Sequence, residues 1–489
     1  VGGPGFRDRR SSVTTTASAT TATATAPGGG KRGKGEHHHS TPHQSPLRTL
    51  FIILSYESHG VASFQPGVRC PARHRHRTRA VHRLAHNVPV NDHDRPTALT
   101  PVTALAALLA PEGRALLDEV RGTRPDQELS VATRLRRDHP ADLVSAALAQ
   151  ARLRQRAAAK FGAVDAERMF FTPNGVEQST RTTVATYRAE RFRALGVTSV
   201  ADLCCGIGGD AIALARAGIR VLAVDRDPLT AAVARANAAA LGLSGLIEVC
   251  EADVTSVDTT PYDAVFVDPA RRGGRGRIFD PEAYSPPLSW AVEAARNAPR
   301  AALKIAPGIP HEAVPAEAGA EWISDGGDVK EAVLWFGGEP GPGTVRATLL
   351  PGPRTLAGRG LPNPPVRPVG EYLYEPDGAV VRAHLVAEVA EEVGGGLIDE
   401  TIAYVTADAL HPTEYATAYR ITDRLPFNVK KLKALLRERE VGVLTVKKRG
   451  SAVEPEELRR KVKPQGPNAA TVFLTRVAGA PTMLVGHPA

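Results

Sequence analysis

Residues 200–210 read V-A-D-L-C-C-G-I-G-G-D, a glycine-rich turn bracketed by Asp202 and Asp210. Gly206, Gly208 and Gly209 let the backbone take positive φ and approach a ligand without a Cβ clash. Roughly twenty residues on, Val224-Asp225-Arg226-Asp227 ends a second apolar run, and Asp225 falls where the ribose hydroxyls of a bound nucleoside need an acceptor. A dinucleotide fingerprint requires G-x-G-x-x-G, so that a pyrophosphate can rest on a helix N-terminus. Here the run is D-x-x-x-G-x-G-G-D, and acids at both ends would repel a diphosphate. The chemistry these residues predict is capture of a nucleoside that is uncharged or cationic.

S-adenosylmethionine, with an amine and a sulfonium but no phosphate, meets that requirement. Two further strand ends agree with it. Residues 246–250 run into Glu251-Ala252-Asp253-Val254, which sets Asp253 where an adenine amino group donates, and residues 264–267 run into Asp268-Pro269-Ala270-Arg271. Contacts to this cofactor are expected from Asp202, Cys205, Gly206, Gly208, Asp225, Arg226, Asp253, Val254 and Asp268. The four strand ends, in this order, resemble a class I methyltransferase.

Three acceptors can be weighed. Attack by pyrimidine C5 needs a cysteine thiolate on the later strands, and no cysteine follows Cys250. Amino-group methylation uses Asp/Asn-Pro-Pro and then an aromatic ring that stacks on the base; Asp268-Pro269-Ala270-Arg271 keeps the acceptors but lacks the ring, for which Phe279 or Tyr284 could substitute. A ribose 2′-hydroxyl needs its proton removed or its oxyanion stabilised, work that lysines flanked by carboxylates can do. Asp268, Lys304 and Glu331 occupy successive strand ends and are the expected catalytic residues, with Lys160 a fourth candidate upstream. Lys304 and Glu331 could equally form a buried ion pair that serves structure alone. Arg271, Arg272, Arg275 and Arg277, interleaved with glycines directly after the catalytic strand, suit a grip on phosphate.

Pattern and composition outline the scaffold around these residues. Residues 1–95 carry the whole net charge of +9, include an almost pure Thr/Ala/Ser run and an Arg/His cluster, and read as a disordered basic extension. Residues 96–195 show apolar residues at helical spacing, with residues 171–180 as a polar loop entering a helix just before the cofactor strand. Residues 196–350 alternate strand and helix, residues 351–368 hold six prolines and read as a linker, and residues 369–489 form a small α+β module. Within that module 13 basic residues face 5 acidic ones between positions 424 and 463, with Lys430, Lys431, Lys447, Lys448 and Arg449 as candidate phosphate contacts. Cysteine spacing offers no zinc site, so no metal is expected. No apolar run approaches the ~20 residues of a membrane span, and a cytosolic setting is expected.

Residues 97–489 resemble a bacterial family of class I methyltransferases that end in a THUMP-like domain. The likeness rests on Glu177-Gln178-Ser179-Thr180, on the Asp202 to Asp210 run, on Asp225-Arg226-Asp227-Pro228, on Asp268-Pro269-Ala270-Arg271-Arg272 and on Val446-Lys447-Lys448-Arg449-Gly450. It implies a Rossmann-like core between a helical N-terminal domain and a THUMP-like α+β module, and RNA as the substrate class. Two other readings stay open on the sequence: methylation of a protein or small metabolite, and an RNA-binding protein whose cofactor pocket is only structural.

Overall fold

The computed structural model describes residues 100–270, 272–273, 276–277 and 280–489. The basic extension proposed for residues 1–95, together with Arg271, Arg275 and Phe279, lies outside the described residues. Among the described residues, seven helices come first: α1 (Pro101–Leu109), α2 (Pro111–Glu119), α3 (Glu128–Leu135), α4 (Ala141–Phe161), α5 (Ala163–Arg168), α6 (Pro173–Gln178) and α7 (Thr182–Ala194). Proline opens α1, α2 and α6, where its missing N–H costs nothing, and Thr100 and Thr172 cap α1 and α6 through their hydroxyls. The 21-residue α4 is their spine, burying Leu143, Val144, Ala147, Leu148 and Ala151 along one stripe.

The central sheet is built from β1 (Ser199–Leu203), β2 (Arg220–Asp225), β3 (Ile247–Glu251), β4 (Ala264–Val267), β7 (Ala301–Ile305), β8 (Gly319–Asp325), β9 (Asp328–Phe336), β10 (Val345–Leu350) and β11 (Arg354–Ala357). A two-residue-strand hairpin, β5 (Arg272–Gly273) with β6 (Gly276–Arg277), stands apart. Strand order is β11-β10-β8-β9-β7-β4-β1-β2-β3, with β9 antiparallel to both neighbours and β11 antiparallel to β10. Helices α8 (Gly209–Arg216), α9 (Pro228–Ala240) and α10 (Leu288–Arg296) make the crossovers. Because β4 is covered on both faces, it reads as an unbroken apolar run rather than an alternating one, while β1, buried along its whole length, carries Ser199 and Asp202 among its apolar residues. Val200, Phe266 and Val333 pack on the side of the N-terminal helices, while Leu203, Val267 and Leu303 pack on the opposite face.

The proline-rich segment departs from the linker reading. Four residues free of proline, Arg354-Thr355-Leu356-Ala357, pair with β10 as an edge strand, the place where neighbouring prolines do no harm to a ladder. Nor are the next two helices detached from the catalytic core. Helices α11 (Gly378–Arg382) and α12 (Val386–Glu392), within the range assigned to the C-terminal module, help bury Ala379, Val380, Ala383, Leu385 and Val389 in the core of the catalytic sheet.

The second sheet comprises β12 (Tyr372–Pro376), β13 (Gly396–Asp399), β14 (Ile402–Ala407), β15 (Ala416–Pro426), β16 (Val441–Lys448), β17 (Asn468–Val477) and β18 (Ala480–Pro488), in the order β13-β14-β12-β15-β18-β17-β16. It is antiparallel except for the β16–β17 pair. Helices α13 (Val429–Glu438) and α14 (Pro455–Val462) lay Leu432, Leu436, Leu458 and Val462 on Val446, Val472, Leu474 and Val485.

Candidate active site

The glycine-rich turn leaves β1 and curls back on itself. Cys204 (φ 66°), Gly206 (φ 58°) and Gly208 (φ 88°) all lie in the left-handed region, which returns the chain to the head of α8. Cys204 is the residue for which that geometry is strained, at a cost of roughly 1–2 kcal/mol. The turn is fastened from two sides. The Cys205 N–H donates to the Val224 carbonyl (2.9 Å), and the Gly206 N–H donates to Asp225 Oδ2 (3.1 Å), whose other oxygen accepts from the Asp227 N–H (2.9 Å). Burial pushes the Asp225 carboxyl above the usual range, against those two N–H donors. Burial also pushes the Cys204 and Cys205 thiols up, so both stay neutral packing groups. Arg226 is exposed at the head of α9, Asp253 caps the short turn that Val254 begins, and the Thr255 hydroxyl and N–H hold the Asp253 carboxyl below its usual range.

On its other side the turn rests on the helical domain. Gly175 in α6 sits so close to Ile207 that a Cβ there would lie 2.6 Å from the isoleucine side chain. Asn237 of α9, fully buried, donates to the carbonyls of Ile207 (3.0 Å) and Phe170 (3.1 Å) and accepts from the Phe170 N–H (2.6 Å).

Below the turn runs a buried chain of polar groups. Glu331 on β9 accepts from Arg188 of α7, which also donates to Asp210 Oδ1 (2.5 Å) in the first turn of α8. Asp210 Oδ2 accepts from the Thr180 hydroxyl (2.7 Å), and Thr180 Oγ1 accepts from Lys304 Nζ (2.8 Å) on β7. Lys304 Nζ ends the chain by donating to Asp268 Oδ2 (2.6 Å) beyond β4. The Arg188 guanidinium also lies over the Phe266 ring, 4.5 Å from its centroid. Burial opposes the Arg188 charge, but Asp210 and Glu331 more than offset it and its pKa is raised. Burial likewise opposes ionisation of Asp210, and Arg188, Lys304 and the Thr180 hydroxyl together hold that carboxyl below the usual range. For Glu331 burial wins over Arg188 and Lys304, and its carboxyl is pushed up.

Sequence comparison places these features in known families. Residues 416–488 match a "THUMP domain-like" family, residues 200–270 a "Methyltransferase domain" family, and residues 101–157 a family described as a domain of unknown function. Relatives in Mycobacterium tuberculosis, strains CDC 1551 and H37Rv, are described as uncharacterised S-adenosylmethionine-dependent methyltransferases. Each is 35% identical over 333 residues, covering 66% of this chain and 90% of the relative. The chain belongs to the S-adenosylmethionine-dependent methyltransferases. A crystal structure from Porphyromonas gingivalis W83, provisionally assigned as a methyltransferase, matches 75% of this chain and 99% of its own at a TM-score of 0.61 and 21% identity, a likeness of fold.

The methyltransferase site fits that cofactor on its own chemistry. Asp202 is fully buried, and neither carboxylate oxygen has a hydrogen-bond partner among the described residues. Burial first, and then the neighbouring Asp210 and Asp268 carboxylates, push it well above its ordinary range. Among the described residues, the buried cations that Asp202, Asp210, Asp268 and Glu331 face are Arg188 and Lys304. A cationic group is what the unpartnered Asp202 carboxyl would engage, and S-adenosylmethionine carries an ammonium and a sulfonium against one carboxylate. Asp202 would take the cationic end, with Gly206, Gly208, Asp225, Asp253 and Val254 at the nucleoside end.

Several expectations about particular side chains need correction. Glu331 is bonded to Arg188, so the buried Lys304–Glu331 pair is not the contact formed. Lys160 donates to the carbonyls of Glu177 (2.5 Å) and Ser179 (2.9 Å) and so steadies the loop that carries Thr180 instead of joining the Asp268–Lys304 pair. Tyr284 is buried and cannot stack on a base. Lys447 is paired with Glu375, Lys448 with Glu454, and Arg449 donates to the Ala403 carbonyl (2.5 Å) over the Tyr404 ring, so these three cations already have partners within the fold. The Arg271 and Arg275 side chains proposed to grip substrate lie outside the described residues, and of Arg272 only the backbone is described, in β5. Arg188 and Asn237 escaped the sequence reading: each is one polar residue within a helix, without a motif around it. Among the described residues no cluster of His, Cys, Asp or Glu is placed to hold a metal ion, and no helix is long and apolar enough to cross a membrane.

Proposed function

We propose that this methyltransferase acts on RNA, in the cytosol, with a ribose 2′-hydroxyl as the acceptor. The observation that carries the reading is Lys304 Nζ, buried and held between Asp268 and Thr180 at the ends of β4 and β7. An ammonium has three N–H donors, and two are committed here. The third is left for an oxygen that gains negative charge as its proton departs. Asp268 is half-buried, and only its Oδ2 is engaged by Lys304, so Oδ1 is the acceptor for that proton. The cofactor, when bound, supplies an electrophilic methyl group. Burial of Tyr284 withdraws one of the two rings that could stack on an exocyclic amine acceptor; the other, Phe279, lies outside the described residues.

RNA as the substrate class is supported by the match to THUMP-like domains and by where the C-terminal module keeps its exposed charge. Lys430, Lys431 and Arg437 on α13 and Arg460 and Lys463 around α14 are all exposed on the outer side of the helical layer. This layer, rather than the end of β16, is the phosphate-binding face.

The test is mass spectrometry of nucleosides from the RNA of cells with and without the protein. Loss of a 2′-O-methyl nucleoside, restored by the parent protein and not by Lys304→Met, is the expected result. Loss of a base-methylated nucleoside would replace the ribose mechanism with one routed through Asp268-Pro269, and a methylated protein or metabolite with unchanged RNA would overturn the substrate class. RNA binding without any methyl transfer would leave only a binding protein.

A further inference from the structure

We infer that the helical domain completes the active site, and that Thr180, at the mouth of α7, is a positioning residue for methyl transfer. The inference rests on the reading of Asp268 and Lys304 as the reacting pair. The hydroxyl of Thr180 touches both halves of the site: it donates to Asp210 at the head of the cofactor turn and accepts from Lys304 beside Asp268. Donation to a carboxylate fixes the single hydroxyl proton, so the remaining lone pairs point to Lys304 and constrain where its ammonium can sit.

Thr180 is itself held by groups outside the Rossmann-like sheet. Lys160 at the end of α4 grips the carbonyls of Glu177 and Ser179 immediately before it, and the Ser179 hydroxyl donates to the Gly175 carbonyl (2.6 Å). After it, α7 delivers Arg188, 1% exposed, onto the opposite oxygen of the same Asp210. Asp210 is thus clamped by two residues of the helical domain, and neither is within the sheet or its crossovers. The Phe170–Asn237–Ile207 bridge ties the same domain to the turn from above. A path of direct hydrogen bonds therefore runs from the cofactor turn through Thr180 to the reacting pair. Any displacement of the turn when the cofactor binds reaches Lys304 through one hydroxyl.

Thr180→Val keeps the shape and removes only the hydroxyl, while Thr180→Ser restores it. The assay is single-turnover transfer of labelled methyl to RNA from cells lacking the protein, alongside S-adenosylmethionine affinity by titration calorimetry. Thr180→Val should slow transfer by about 10- to 100-fold, the scale of a hydrogen bond to a charged group, with cofactor affinity changed less than about threefold, a smaller step than one such bond. Thr180→Ser should recover most of the rate. Parent-like transfer by Thr180→Val, or a rate loss matched by an equal loss of cofactor affinity and not restored by serine, would reduce Thr180 to a structural contact and overturn the inference. Lys304→Met run in parallel separates the two ideas: if it transfers methyl at the parent rate, the reacting pair has been misassigned.

Discussion

Replacing Asp202 with asparagine should make the cofactor-free protein more stable and the cofactor bind more weakly, two effects of opposite sign from one atom change. Asp202 is buried near the end of β1, both its oxygens are unpartnered among the described residues, and the Asp210 and Asp268 carboxylates act on it. Its folded pKa is raised above its unfolded value, so the folded chain holds a proton that the unfolded chain releases. Stability without cofactor is therefore fullest below the unfolded carboxylate range and declines as pH rises toward the folded value. An unpaired buried polar group costs about 1–3 kcal/mol, and more when charged. Asparagine removes the need to take up a proton on folding but leaves an amide unpaired, so the gain at pH 8 belongs near the lower end, about 1 kcal/mol. In the complex the same change forfeits a charged contact of about 1.5–3 kcal/mol, or roughly 10- to 150-fold in Kd. Urea midpoints at pH 5 and pH 8 without cofactor, together with calorimetric titration by S-adenosylmethionine, measure both. The stability gain should be larger at pH 8 than at pH 5. For the parent protein, affinity should rise with pH, and binding below the folded pKa should release a proton. A variant less stable than the parent at pH 8, with unchanged affinity, would show that Asp202 is neither the source of the strain nor the partner of the cationic end.

Arg188→Met should cost about 3–5 kcal/mol, because it strands the Glu331 and Asp210 carboxylates in the core, and adding Glu331→Gln should recover part of that loss in chemical denaturation. Asn237→Ala should loosen the turn from the helical domain, lowering thermal stability and weakening S-adenosylmethionine binding together, as measured by melting with and without cofactor; unaltered binding would mean the Phe170–Ile207 bridge does not shape the pocket. Charge reversal at Lys430, Lys431 and Arg437 should weaken RNA binding and flatten its salt dependence by about 0.7 in slope per lost contact with single-stranded RNA, while Lys447→Gln, which breaks the pair with Glu375, should act on stability instead.

The strands and crossovers around the cofactor were legible because their signals are local. An apolar run covered on both faces, then glycines at positive φ, then a carboxylate at the next strand end, are dictated by backbone sterics and by ligand chemistry within a few residues of each other. The same locality explains the misreading of residues 351–368. Prolines announce where a ladder cannot be central, but they do not forbid an edge strand in a gap between them, and Arg354–Ala357 is such a strand. The basic residues of the C-terminal module show a different limit. Charge count along the chain could not separate Lys447 and Lys448, whose acidic partners Glu375 and Glu454 come from other elements, from the exposed cations of α13.

The helical domain was legible in the sequence as a domain, but the residue by which it reaches into the site was not. Arg188 looks like one more surface arginine in a helix rich in them, and only the fold shows that α7 turns it inward onto Phe266 and between two carboxylates. A guanidinium in such a place is costly to desolvate and is tolerated because both carboxylates would cost still more without it. The mutual dependence has a consequence for how this chain works. The catalytic sheet cannot keep Asp210 ionised or give buried Glu331 its partner without α7, and α7 has no use for a buried arginine without the sheet. Helical domain and catalytic sheet should therefore unfold as one cooperative unit, and separation of residues 96–195 from the remainder should abolish cofactor binding in both pieces and restore it on mixing only if Arg188 is intact.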